Sequence, residues 1–316
     1  MSKTGSFLFI SCLLLWCSAC SWVDDDRSGC PTGCWVKLSY TYNMLDVDAV
    51  TTQVTDASIF VFDTNGICIA REEADSISLR HGNHMVKLPA LPEGDYDILV
   101  WAGLADNHYQ YMDTSLLLSR SETGEQPDKL AALFHGRTDG EHIDESYRVI
   151  DIPLIKDTNL FSCVLQSQTG NALESENFDM EISASNGRMD HHNLPIGNDM
   201  VVYKPFFIEN TALENISVIH AGLNVLRLME NDDTRFRLHH RPSGKTIIDI
   251  PLTQYLLLTR HAKTFKMSPQ EYLDRQDQYN LIFFLTASEK PEDPFLCQQM
   301  MVNGWMIRLN EAELEE

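Results

Sequence analysis

The chain has 316 residues, 43% of them hydrophobic, with 46 acidic against 24 basic side chains and a formal net charge of −22. The hydrophobic share can fill a sizeable core and excludes wholesale disorder, and the length suits two domains. So acidic a surface repels nucleic acid and anionic headgroups, which sets both aside as partners.

The first residues read as an export signal. A cationic start at Lys3 precedes an apolar run over 7–16, and the segment closes on Ser18-Ala19-Cys20. The run has roughly half the ~20 apolar residues that a membrane-crossing helix needs. Small residues directly before a cysteine resemble a bacterial lipobox, in which the thiol is lipidated and the preceding peptide removed. This reading assigns 1–19 to a signal peptide and Cys20 to lipidation, and loss of Lys3 takes the mature charge to −23. One acyl chain binds membranes marginally, at ~0.8 kcal/mol per buried CH2, and two or more anchor stably. Asp24, Asp25 and Asp26 follow at once. The run resembles the sorting signal of surface lipoproteins and predicts transfer to the outer face of the outer membrane.

Cys30, Cys34, Cys68, Cys163 and Cys297 complete the mature cysteines. Their number is odd, so at least one thiol is free or pairs between molecules. Cys30 and Cys34 lack the second ligand pair that a zinc knuckle needs, and a local disulfide between them suits an oxidising compartment.

The remainder reads mostly as strands. Val36, Leu38, Tyr40 and Tyr42 alternate with Lys37, Ser39 and Thr41, the period of a half-buried strand. Residues 57–62 (ASIFVF) are apolar on both faces, and Asn65-Gly66 turns them into a return strand over 67–70. Further strands are expected over 85–88, 96–102 and 147–154, with 106–126 a long loop or helical excursion. A second set follows over 160–166, 180–184, 200–207, 222–228, 234–238 and 246–252, and a single closing strand over 300–309. Short strands separated by Gly, Asn and Pro indicate β-sandwiches. The boundary is placed near Ile155-Lys156-Asp157, giving domains 20–155 and 156–316. One helix is expected over 269–276, where Ser268, Pro269 and Glu271 form a capping box with proline at the first helical position. The tail 310–316 is acidic.

Motifs for chemistry are missing: there is no GxSxG, Walker A, GxGxxG or HExxH. His81 and His84 read as solvated turn residues, and the His191-His192 and His239-His240 pairs point to opposite faces of a strand. Ser185, Asp190 and His191 form no recognisable triad. These residues predict no metal, no cofactor and no enzymatic activity. Asn215-Ile216-Ser217 matches a glycan acceptor by chance.

Several stretches together resemble one family. They are the lipobox and acidic run, Cys30-Pro31, Ser39 to Asn43 (SYTYN), Phe60 to Asp63 (FVFD) and Leu91 to Asp97 (LPEGDYD) leading to Trp101-Ala102-Gly103. Leu133 to Gly136 (LFHG), Asn186-Gly187, Gln270 to Arg275 (QEYLDR) and Asn303-Gly304-Trp305 continue the series. In this order they resemble the FimB-type fimbrial anchoring subunits, surface lipoproteins of the Bacteroidetes. The resemblance implies an all-β chain of two transthyretin-like β-sandwich domains in tandem. It also implies an outer-membrane lipoprotein at the base of a fimbrium, held by acyl chains, that limits fimbrial length. Its partners would be fimbrial stalk subunits, joined by β-strand addition at an open sheet edge. Similar lipoproteins serve as tip or accessory subunits. The competing class is a surface carbohydrate-binding lipoprotein, which needs exposed aromatic platforms. Trp35, Trp101 and Trp305 lie in strand contexts that predict core packing instead.

Overall fold

The computed structural model describes residues 32–105, 108–112, 115–118, 127–197, 200–213, 216–260, 266–288 and 294–309. Cys20, Asp24, Asp25, Asp26, Cys30, Asn215 and the tail 310–316 lie outside the described residues. The chain is all-β, with two sandwiches in tandem and short helices between strands.

In the first sandwich, Cys34–Ser39 (β1), Met85–Lys87 (β4) and Arg148–Pro153 (β9) form one sheet in the order β4-β1-β9. The other sheet contains Ala57–Phe62 (β2), Cys68–Ala74 (β3), Gly94–Ala102 (β5), Phe134–Ile143 (β8) and Ile155–Lys156 (β10). Its order is β10-β8-β5-β2-β3. Val36, Leu38 and Tyr40 point inward as their period predicts, and share a core with Ile59, Val61, Ile98 and Val100.

The second sandwich has a six-stranded sheet of Thr158–Ser167 (β11), Phe207–Leu213 (β15), Ile216–Leu226 (β16), Gln278–Ala287 (β19), Phe295–Val302 (β20) and Trp305–Arg308 (β21). Its order is β15-β16-β11-β19-β20-β21. Opposite it lie Phe178–Ala184 (β12), Val201–Tyr203 (β14), Arg235–His240 (β17) and Lys245–Pro251 (β18), in the order β14-β12-β17-β18. Phe236 stacks on Phe283 between the two sheets, with ring centroids 4.6 Å apart. The expected short helix is present as Pro269–Arg275, and the Ser268 hydroxyl accepts from the Glu271 N–H at 3.1 Å.

Four expectations need correction. Residues 106–126 contain no described helix; they hold the hairpin Tyr109–Met112 (β6) and Ser115–Leu118 (β7), which pairs with Arg188–Asp190 (β13) in the order β13-β7-β6. These strands are too short for periodicity to identify. The single strand over 200–207 is split into β14 and β15, with Pro205, which has no N–H to give a ladder, between them. The single strand over 300–309 is a hairpin: Asn303 (φ 48°) and Gly304 (φ 87°) occupy the two left-handed positions of a tight turn between β20 and β21. The expected turn is present over 82–84, but His81 precedes it as the exposed last residue of a helix, Ser76–His81, capped by Asp75, and His84 within the turn is buried rather than solvated.

Candidate functional site

Two places distinguish this molecule: the junction between the sandwiches and the outer edge of the six-stranded sheet. The junction starts from β2, all of whose residues are buried. Ile59 and Val61 face the first core, while Phe60 and Phe62, with Leu99 and Trp101 of β5, belong to the core that continues into the second sandwich. The β6–β7 hairpin helps to cover that face. Tyr111 lies against Phe60 at 4.2 Å between centroids, and its hydroxyl hydrogen-bonds His191 Nε2 at 2.7 Å. His135 packs edge-on to Trp101 and bonds the His191 carbonyl through Nε2 at 3.0 Å. Burial lowers the His135 pKa to about 4, so the ring is neutral at pH 7 and donates that bond.

An ionic cluster lies beside this apolar contact. Arg227 donates through Nε and Nη2 to the two Asp274 oxygens, each at 2.8 Å, and through Nη1 to the Asn193 carbonyl. Gln270 Nε2 donates to Asp274 Oδ1 at 2.8 Å and to the Leu228 carbonyl at 3.0 Å. Asp157, between β10 and β11, is fully buried; its Oδ1 accepts from Asn193 Nδ2 at 2.8 Å, and its Oδ2 has no partner. Desolvation raises the Asp157 pKa to about 7, with Arg227 opposing the shift. Arg275 reaches back to the first sandwich, donating to the Asn43 carbonyl at 3.2 Å and standing 4.4 Å over the Tyr42 ring. Lys156 joins Asp277 (2.6 Å) to Gln53 (2.9 Å).

The open edges differ in chemistry. β3 carries Arg71, Glu72 and Glu73, charges that discourage pairing with another chain, and β15 exposes the polar run Glu209, Asn210 and Thr211. β21 presents Trp305 and Met306, each 52% exposed, with Arg308 as its one charge. Trp305 and Ile307 stand opposite Val302 and Met300, both fully buried, so they share the core-facing side as their alternation predicts. Core packing of Trp305 is nevertheless overturned: β21 is the last strand of its sheet, and no described strand closes over its rim. Trp101 is buried as expected, and Trp35 is half-buried with the Lys87 ammonium over its ring.

The residues that could suggest catalysis are not brought together. The Ser185 hydroxyl donates to Asp233, Asp190 accepts from the backbone of His192 and Leu194, and His191 is engaged by Tyr111. His239 and His240 bond Thr246 and Ser243 separately. An open cleft lined by Ser185, Asn186, Met229, Asp233 and Gln270 has no aromatic wall. Among the described residues no His, Cys, Asp and Glu group could hold a metal, and Cys34, Cys68, Cys163 and Cys297 are free thiols. No described helix is long and apolar enough to cross a membrane.

Residues 27–311 match the family model of the fimbrillin-A associated anchor proteins Mfa1 and Mfa2. The chain belongs to this family. It is 20% identical over 310 residues to the minor fimbrium anchoring subunit Mfa2 of Porphyromonas gingivalis, covering 92% of this chain and 90% of that one. The crystal structure of a Bacteroides thetaiotaomicron protein described as a candidate polysaccharide-binding protein superposes with a TM-score of 0.77 at 32% identity, covering 90% of this chain and all of that one. The fimbrial anchor Mfa2 of P. gingivalis shares the fold at a TM-score of 0.70 and 18% identity, over 89% of this chain and all of its own.

Among the described stretches that carried the family resemblance, three have a structural role. Gln270 to Arg275 build the junction. Asn186 is buried, donates to the carbonyls of Leu226 and Arg227 and accepts from the Tyr203 hydroxyl. Gly103, at φ 96°, lies so close to the Ala132 carbonyl that a Cβ would stand 2.0 Å from its oxygen.

Proposed function

We propose that this chain is the lipid-anchored base subunit of a fimbrium and acts as a static adaptor between membrane and stalk. The observation that carries the reading is membership of an anchor family across 27–311, in a chain whose two sandwiches are locked by one continuous apolar and ionic junction. The signal peptide is 1–19, and acyl chains on Cys20 hold the mature domains, 20–155 and 156–316, to the outer membrane. Between Cys20 and Thr32 the chain can span at most ~43 Å, enough to hold the first sandwich clear of the headgroups. Asp24, Asp25 and Asp26, in that tether, direct the protein to the cell surface. A stalk subunit joins by adding a strand to an open edge. A subunit tied to lipid can sit only at the base, so its incorporation ends growth there and limits length. The adaptor performs no catalysis.

Cys20→Ser should move the protein from the detergent phase to the aqueous phase; a variant that still partitions with membranes contradicts lipid anchoring. Replacing Asp24, Asp25 and Asp26 with alanine should leave lipidation intact but protect the protein from protease shaving of whole cells. Equal cleavage of variant and wild type would make the aspartates plain linker. Immunogold labelling at the fimbrial base, rather than the tip, separates anchor from tip or accessory subunit.

The B. thetaiotaomicron relative motivates a second reading, carbohydrate binding. Trp305 is the half-exposed ring that could serve it. A glycan array on the purified chain decides: saturable binding lost in Trp305→Ala would favour that reading.

A further inference from the structure

β21 and β15 are the two edges of the six-stranded sheet, and each carries a single charge. The middle of β15 exposes the polar Glu209, Asn210 and Thr211, whereas β21 combines an outer side with no described strand against it, apolar side chains on both faces and a charge only at its end. In an antiparallel pair closed by a two-residue turn, Val302 and Trp305 exchange both backbone bonds, and the pattern then alternates. The Leu309 N–H, donating to the Gln298 carbonyl at 2.9 Å, shows that the odd-numbered residues here bond inward. The N–H and C=O groups of Met306 and Arg308 therefore point out of the sheet edge. The same edge ends a row of apolar side chains across the outer sheet face, because Val164 lies beside Ile282, Ile282 beside Met301 and Met301 beside Met306. Nothing of this kind borders β3, where Arg71, Glu72 and Glu73 occupy the edge.

We infer that β21 is the docking edge for the stalk subunit, and that the occupant is an extended segment of that subunit added as a seventh strand. The chemistry of this occupant follows from what it must meet. Its backbone pairs with Met306 and Arg308. Apolar side chains on one of its faces cover Trp305 and Ile307, and on the other they continue the Met301–Met306 row. A carboxylate beside Arg308 answers the one charge on the edge, in a chain whose excess of acid would repel acidic strands elsewhere. The inference rests on the anchoring role and adds the site through which it is exercised.

The test uses the full lipidated chain in the cells that carry the fimbriae. Met306→Pro removes an outward N–H and no internal ladder bond, the position at which an edge strand tolerates proline. The purified variant should melt within about 3 °C of wild type, under ~1 kcal/mol for a domain of this size. Its cells should lose fimbriae to the medium, with at least about ten-fold fewer attached, a loss of ~1.4 kcal/mol or more in coupling. If the proline destabilises the fold further, Met306→Lys is read instead, since an edge lysine blocks strand addition while leaving the ladder intact. Wild-type fimbrial retention by a folded Met306→Pro or Met306→Lys chain overturns the inference. Cells lacking the chain altogether separate this from the anchoring role. If they keep their fimbriae, that role fails; if they shed them while the edge variants do not, only the assignment to β21 fails.

Discussion

Phe60, Phe62, Leu99 and Trp101 emerge on the outer face of one sheet and are covered by the β6–β7 hairpin and the second sandwich, whereas Trp305 and Met306 emerge at the rim of another and are left half exposed. Both regions are apolar β surface. At the junction nearby polar groups are also paired: Arg227 with Asp274, Asn193 with Asp157, Tyr111 with His191. At β21 no described strand pairs with the outer side of the backbone. An adaptor needs its domains fixed relative to each other and one surface reserved for a neighbour. The described residues cover the first kind of surface and place no strand against the second.

The contrast can be broken hardest at the junction. Arg227→Ala leaves Asp274 buried without its counter-charge and should cost ~3–5 kcal/mol, read as a lowered urea midpoint. Trp101→Ala, which empties a fully buried site beside His135, should cost a similar ~3–5 kcal/mol. A change of under ~1 kcal/mol in either variant would mean that the junction does not hold the sandwiches together.

A second prediction concerns pH. Asp157 has its folded pKa raised to about 7, so the stability it contributes is full in acid and is lost as pH rises towards 7. His135 has its folded pKa lowered to about 4, so its contribution is present above ~6.5, the unfolded value, and is lost as pH falls towards 4. Across pH 4–6.5 the two slopes oppose each other. Asp157→Asn should therefore expose a loss of stability in acid that wild type masks, and His135→Gln should expose the opposite slope. Melting temperatures measured at half-unit pH steps check both signs, and parallel profiles for all three proteins would contradict the assignment.

The smallest folding effect is expected at the edge. Trp305→Ala should cost about 1 kcal/mol or less, because half the ring is already in solvent. Fimbrial attachment should nevertheless weaken. A melting temperature that falls as far as that of Trp101→Ala would place Trp305 in the core after all.

The sandwich architecture was largely legible because alternation in β1 and the capping box at Ser268 are local signals that survive folding. The doubly apolar run of β2 also announced that its sheet would be covered on both sides, although not by what. The β6–β7 hairpin was hidden because its strands gain their stability from pairing with β13, about 70 residues further on. Trp305 misled for a related reason: alternation fixes the face on which a side chain sits, but not whether a further strand follows. Asn303-Gly304 carried the hairpin signal that would have made β21 an edge. The ionic junction joins Asp157, Arg227 and Asp274, and nothing in their spacing reveals that they meet.

The central claim is tested most directly by a photo-reactive benzoyl-phenylalanine placed at position 306 on β21 and, separately, at position 72 on β3, in cells carrying assembled fimbriae. Irradiation should join the stalk subunit to the chain from position 306 and not from position 72. Cross-linking from position 72 alone would contradict the account, because the stalk would then be seated on the charged edge.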